Sequence, residues 1–203
     1  MYNLGSDLLN LLASVIVLYV VVDPIGNIPL FTAVTARLDP ARRRRVLVLS
    51  VAVATLILAL FATFGVEFFS YFGVAIGDFM VASGVILTAF SLLYLTRPYE
   101  QGAAAEGIEV AVVPLAVPFL AGPASISYIL LLSTEAGLLH ALVVIVVVSL
   151  LTLATLFASE VVTKILGILG IRLVEKIMLI LSVAIGISLI RRGLSQWLAG
   201  PPG

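Results

Sequence analysis

Asp23 is the only charged residue in an apolar stretch from Leu8 to Ala36, and it opens the segment Asp23-Pro24-Ile25-Gly26-Asn27-Ile28-Pro29. A carboxylate in such surroundings is costly to desolvate, and by default it marks an ion path, a proton relay or the counter-charge of a solute. Pro24 and Pro29 lack an amide donor and Gly26 permits unusual dihedrals, so the segment predicts a break in a helix. A second segment has the same character. Pro114 and Pro118 precede Ala121-Gly122-Pro123-Ala124-Ser125-Ile126-Ser127, where a helix is expected to unwind and restart. Each restarted helix offers free amides and a positive dipole end, which suit a carboxylate or another anion. Asn27, Ser125 and Ser127 add neutral hydrogen-bonding groups. A zwitterion matches this set, its carboxylate on the helix ends and its ammonium on Asp23, and Asp23 is equally suited to a coupling H+ or Na+. The candidate solute-binding residues are therefore Asp23, Pro24, Gly26, Asn27, Gly122, Pro123, Ser125 and Ser127. The competing readings are a plain proline kink and, for Asp23, a cap on the amides around Gly26 and Asn27, which is compatible with binding.

Helices crossing a bilayer must position these residues. The 203 residues are 62% hydrophobic and 11% charged, with a mean hydropathy of +1.26. A soluble domain carries about 25% charged residues to cover its core, so this surface must face lipid. A formal net charge of zero argues against a nucleic-acid partner. The lack of cysteine excludes thiolate metal sites and cysteine nucleophiles, and no metal site or cofactor is expected. Met1 to Leu9 holds no Lys or Arg, so the first apolar stretch is expected to stay as a span rather than be cleaved. A span needs about 20 apolar residues, and six stretches qualify: Leu8–Ala36, Val46–Val66, Val74–Thr96, Val110–Thr134, Leu138–Ser159, and a sixth from near Ile171 to Ile190, with Arg172 and Lys176 snorkelling. The expected fold is one all-α transmembrane domain over residues 1–203, its first and fourth spans broken near the bilayer middle.

The halves resemble each other. Sliding span three by 97 positions brings Gly73 to Gly170, Asp78 to Glu175 and Ser91 to Ser188, while an offset of 99 brings Pro24 to Pro123. Repeat one covers about 1–96, a polar linker 97–109, and repeat two about 110–203. Three spans per repeat is an odd number, so the second copy enters from the opposite side, the inverted architecture common among secondary transporters. Arg37, Arg42, Arg43, Arg44, Arg45, Arg97, Lys164, Arg172 and Lys176 fall on one side and only Arg191 and Arg192 on the other. The positive-inside rule then places this multi-pass protein in the cell inner or plasma membrane with both termini outside. The Arg42–Arg45 run reads as a topology determinant against anionic headgroups.

The remaining residues read more blandly. Glu67, Glu160, Asp78 and Glu175 end or begin spans, where charges are usually solvated. Gly73 and Gly77, with Ser182 and Gly186, suit close helix packing. Thr88, Ser91 and Ser188 are expected to bond their own helices. Ser83 in Ala82-Ser83-Gly84 is a conceivable protease nucleophile, but the only histidine, His140, lies at an outer boundary, so no enzyme is expected. No G-x-x-x-x-G-K-[ST] loop supports ATP-driven transport.

The Asp23–Pro29 segment, together with Val117-Pro118-Phe119-Leu120-Ala121-Gly122-Pro123, closely resembles the MarC/SnatA family of membrane proteins, over essentially the whole chain. The resemblance implies a six-span carrier of small neutral amino acids such as glycine and alanine, cation-coupled. The alternative that the residues leave open is a channel or passive facilitator.

Overall fold

Lipid offers no partner to a backbone amide, and so apolar a chain meets that constraint with helices. The computed structural model describes residues 4–35, 38–96 and 111–199, and no strand occurs among the described residues. The expected linker 97–109 lies outside them, as do the side chains of Pro29, Pro114, Pro118, Glu160 and Glu175. The elements are α1 (Leu4–Val22), α2 (Ile28–Thr35), α3 (Pro40–Tyr71), α4 (Ile76–Thr96), a wide π-helical segment π1 (Ala111–Leu120), α5 (Pro123–Glu135), α6 (Leu138–Phe157) and α7 (Ser159–Ala199). Among the described residues four stretches are long and apolar enough to cross a membrane, Pro40–Tyr71, Ile76–Leu93, Leu138–Phe157 and Arg172–Leu198, and Leu8–Val22 is a shorter apolar helix. The first and fourth expected spans are each two shorter pieces, α1 with α2 and π1 with α5. Large apolar side chains cover the outside, among them Leu9, Leu139, Leu150 and Ile180, each at least 60% exposed.

One boundary differs from expectation. Helix α3 begins at Pro40, six residues before Val46, because Asp39 caps it by accepting from the amides of Ala41 (3.1 Å) and Arg42 (3.0 Å), and Pro40 suits the first helical position. Within α7 two helices meet at a kink at Gly167, the one residue inside it with non-helical geometry (φ 65°, ψ 175°), and the apolar span Arg172–Leu198 begins beside the expected Ile171. Gly73, in the turn between α3 and α4, has the same φ of 65°. The matching glycines of the two turns are thus Gly73 and Gly167, 94 positions apart, and Gly170 sits on the helix of α7.

The hydrogen bonds fix the helix directions. Ser14 meets His140 and Tyr19 meets Thr155, so α1 and α6 run parallel. Thr55 meets Ser149 and the Arg44 guanidinium lies over the Phe157 ring, so α3 runs antiparallel to α6. Helices α4 and α7 are antiparallel, through Asp78 with Trp197 at one end and Lys176 with the Leu95 carbonyl at the other. Between these ends they come together on glycine. A Cβ on Gly193 would sit 2.5 Å from the Gly77 oxygen, and one on Gly84 would run into the Gly186 oxygen. The expected small-residue contact is real, but Gly73 has no part in it: nothing lies within 4 Å of its Cβ position.

Burial divides the same way. One core joins α1, α2, α3, π1, α5 and α6, with Leu18, Phe31, Ile129, Val144 and Ile145 at its centre. A smaller cluster of Met80, Ala124 and Leu189, with Val21 and Leu131 packed against it, ties α4 and α7 to the first turn of α5 and the last of α1. The α4–α7 pair is therefore a layer laid against the core at the level where both broken helices are interrupted.

Candidate functional site

Helix α1 keeps its ladder as far as Asp23, whose amide donates to the Tyr19 carbonyl at 3.0 Å. There the backbone flips to φ 49°, the one positive φ outside glycine among the described residues. Aspartate tolerates this region because its short side chain bonds locally. Asp23 Oδ1 accepts from the Gly26 amide at 2.9 Å, and the Asp23 carbonyl accepts from the Asn27 amide at 3.1 Å. The Asn27 side-chain amide donates to the carbonyls of Val22 (3.2 Å) and Asp23 (2.9 Å), sealing the free end of α1. Gly26 is required here, because a Cβ would lie 2.7 Å from Asp23 Cγ. Helix α2 then starts, with the Phe31 amide on the Asn27 carbonyl at 2.9 Å. The capping use of Asp23 is real, and it occupies one oxygen. Oδ2 takes no hydrogen bond among the described residues.

The second interruption is built differently. Proline cannot donate and its ring crowds the carbonyl four residues back. Pro114 and Pro118 sit in π1, where the coil widens, and the last bond runs from the Ala121 amide to the Ala116 carbonyl, five residues back, at 2.8 Å. Only Ala121 and Gly122 leave helical geometry. Pro123 is a natural first helical residue, so α5 begins directly after Gly122 and carries both serines. The buried Ser125 hydroxyl donates to the carbonyls of Gly122 (2.9 Å) and Leu120 (3.2 Å), doing for π1 what the Asn27 amide does for α1. The start of α5 has no such service. Its cap is Gly122, which has no side chain to accept from the first-turn amides, and those amides have no intrahelical partner. Ala124 and Ser125 are 4% and 2% exposed, so this positive helix end is shut away from water.

A narrow cleft lies between the start of α2 and the end of π1, and neither Asp23 nor the first residues of α5 line it. Asn27 and Phe31 line it from the α2 side, Leu115, Phe119 and Leu120 from π1, with Leu47, Ser50 and Leu156 closing the sides. Its volume is about 10 Å³, about the room one water needs. An amino acid does not fit in this conformation. Of the expected residues, Asn27 reaches the cleft, while Ser125 faces its own backbone and the fully buried Ser127 donates to Ser83 Oγ at 2.9 Å. Ser83, conceivable from the sequence only as a nucleophile, is the acceptor of this bond. Its partner lies 44 positions away and no local pattern announces it.

The other candidates fall into structural roles. Ser83 and His140 are not brought together: Ser14 Oγ spends its proton on the Asn10 carbonyl, so it accepts from His140 Nε2 at 3.1 Å. Asp78 caps the start of α4 through the Ala75 amide and takes the Trp197 indole N–H at 2.7 Å. Ser91 bonds the Leu87 carbonyl, and Glu67 is exposed. Thr88 Oγ1 is buried without a partner, facing Gly186. No cluster of three or more metal-ligating side chains occurs among the described residues.

Residues 8–198 match the family described as MarC family integral membrane protein. The chain is similar to a UPF0056 membrane protein of Buchnera aphidicola subsp. Baizongia pistaciae, 26% identical over 90% of this chain and 94% of that one. A UPF0056 membrane protein of Archaeoglobus fulgidus is 31% identical over 91% of this chain and 92% of its own. The UPF0056 inner membrane protein YhgN of Escherichia coli K12 is 24% identical over 94% and 98%. No solved structure matches.

Proposed function

This chain belongs to the MarC family of integral membrane proteins, and from that premise we propose that it is a secondary carrier of small neutral amino acids, of the glycine and alanine type, with H+ or Na+ as coupling ion. The observation that carries the reading is the unequal pair of helix interruptions, at Asp23–Asn27 and at Ala121–Gly122. One holds a carboxylate with an unused oxygen, and the other holds a buried helix start with no cap. A zwitterion satisfies both: its carboxylate takes the amides of Ala124 and Ser125, and its ammonium pairs with Asp23 Oδ2. A lone anion would leave Asp23 unneutralised and a lone cation would leave the helix end empty, so a neutral solute with both charges is the best match.

Six crossings in two inverted repeats accord with the parallel α1–α6 and antiparallel α3–α6 and α4–α7 pairs. The arginine-bearing connections face the cytoplasm and both termini the outside. The cleft is closed here, so transport needs a second conformation. The α4–α7 layer is the moving body: glycine contacts hold it together, Gly73 and Gly167 join it to the rest with φ of 65°, and Ser83–Ser127 latches it to α5.

Binding tests this without transport. Glycine or L-alanine at about 100 times its dissociation constant stabilises a one-site protein by about 2.7 kcal/mol, a clear rise in unfolding temperature. Acetate and methylammonium, each one half of the zwitterion, are expected to give none. A rise with acetate alone equal to that with glycine removes Asp23 from the site, and no rise with any neutral amino acid removes the proposal.

A further inference from the structure

The four consecutive arginines at the start of α3 are not equivalent. Arg42 pairs with Asp39 at 3.2 Å, both side chains exposed. Arg43 lies over the Phe31 ring and Arg44 over the Phe157 ring, each 5.3 Å from the centroid. Arg44 and Arg45 are exposed and have no carboxylate partner among the described residues. All four cations crowd the positive end of the α3 dipole, where cations are disfavoured and an anion is favoured. Below Arg44 at every fourth position lie Val48, Ala52, Leu56 and Leu60, all exposed, Leu56 at 59%. Residues four apart share a helix face, so a cation stands at the head of an apolar strip that runs down the outside of a membrane-spanning helix.

We propose that this face of α3 is a binding site for an anionic phospholipid, its phosphate on Arg44 and Arg45 and one acyl chain on the Val48–Ala52–Leu56 strip. Phe157 is the positioning residue. The Phe157 ring, 5.3 Å from the guanidinium carbon, holds the Arg44 cation at the end of α6 by cation–π attraction, and a guanidinium can grip phosphate bidentately. Because Phe157 is the last residue of α6, a phosphate on Arg44 ties the ends of α3 and α6 together. The site rests on the membrane fold and is independent of the carrier reading.

The test uses the full chain in nanodiscs of phosphatidylcholine carrying a trace of phosphatidylglycerol, read by the lipids retained in native mass spectrometry. The wild type is expected to enrich phosphatidylglycerol over phosphatidylcholine. One basic residue near an anionic surface contributes about fivefold, so Arg44→Gln with Arg45→Gln is expected to lose about 25-fold, and Arg42→Gln, which removes the Asp39-paired arginine, much less. Phe157→Leu keeps every charge and is expected to lose several-fold, which a diffuse charge effect would not produce. No preference for phosphatidylglycerol in the wild type overturns the proposal whatever the variants do. Equal losses in Arg42→Gln and the double variant overturn the assignment to Arg44 and Arg45. Displacement of the lipid by millimolar inorganic phosphate would make the site one for soluble phosphate, which also overturns it.

Discussion

Replacing Asp23 with asparagine, glycine and alanine separates what the carboxylate does for the fold from what it does for a solute. Two features support the native backbone there, the φ of 49° and the bond from the Gly26 amide to Oδ1 at 2.9 Å. Asparagine tolerates the left-handed region and keeps an acceptor, so Asp23→Asn is expected to cost little stability. Glycine accepts the dihedral freely but loses the cap, a cost of about 1 kcal/mol. Alanine loses the cap and adds a left-handed penalty of about 1–2 kcal/mol, for a total of about 2–3 kcal/mol. Stability should therefore fall in the order Asp, Asn, Gly, Ala, read by unfolding in a fixed detergent. Exchange of solute should follow another order. Asparagine and glycine both lack the charge facing the ammonium, and a hydrogen bond to a charged group is worth about 1.5–3 kcal/mol. At about 1.4 kcal/mol per factor of ten, both should fall about 10- to 100-fold at matched amounts of folded protein. Full exchange in Asp23→Asn, or exchange that merely tracks stability across the series, would refute the counter-charge role and leave Asp23 as a cap.

Three further outcomes follow from the packing and from the lack of cysteine. Gly84→Ala places a methyl against the Gly186 backbone oxygen, which cannot yield, and is expected to cost about 1–3 kcal/mol; Gly77→Ala meets first the end of the flexible Gln196 side chain at 3.0 Å and should cost less, and equal unfolding temperatures would contradict the glycine seam. Ser83→Cys with Ser127→Cys, whose native hydroxyls are 2.9 Å apart, should oxidise to a disulfide that halts exchange until it is reduced; undiminished exchange by the bridged protein would mean that the α4–α7 layer does not move against α5. Single cysteines at Gln101 and at Gly203 should respectively resist and react with a membrane-impermeant thiol reagent on intact cells, and the reverse pattern would invert the orientation.

The readable parts of the molecule were those that local chemistry dictates. Proline and glycine carry their rules with them, so the interruptions at Asp23–Asn27 and at Ala121–Gly122 could be placed from the residues around them. Their internal wiring was less legible. Pro123 looks like a breaker in an apolar run, yet it is also the preferred first residue of a helix, and that role puts Ser125 and Ser127 within the first two turns of α5. Ser125 and Asn27 then turn to seal helix ends, a need that becomes visible only once those ends are located. The Ser83–Ser127 bond and the Gly84–Gly186 contact join distant segments, and an apolar sequence has no local mark for such pairs. Gly73 and Gly170 looked alike because a packing glycine and a positive-φ glycine are written with the same letter; Gly167 has the backbone that matches Gly73.

Counterflow of labelled glycine and L-alanine into liposomes containing the purified protein tests the central claim most directly. The two interruptions predict saturable uptake against excess unlabelled substrate inside, competed by other small neutral amino acids and weakened in Asp23→Asn. No exchange across a panel of neutral amino acids, with insertion verified and liposomes tight, would contradict the carrier reading while leaving the helical membrane fold intact.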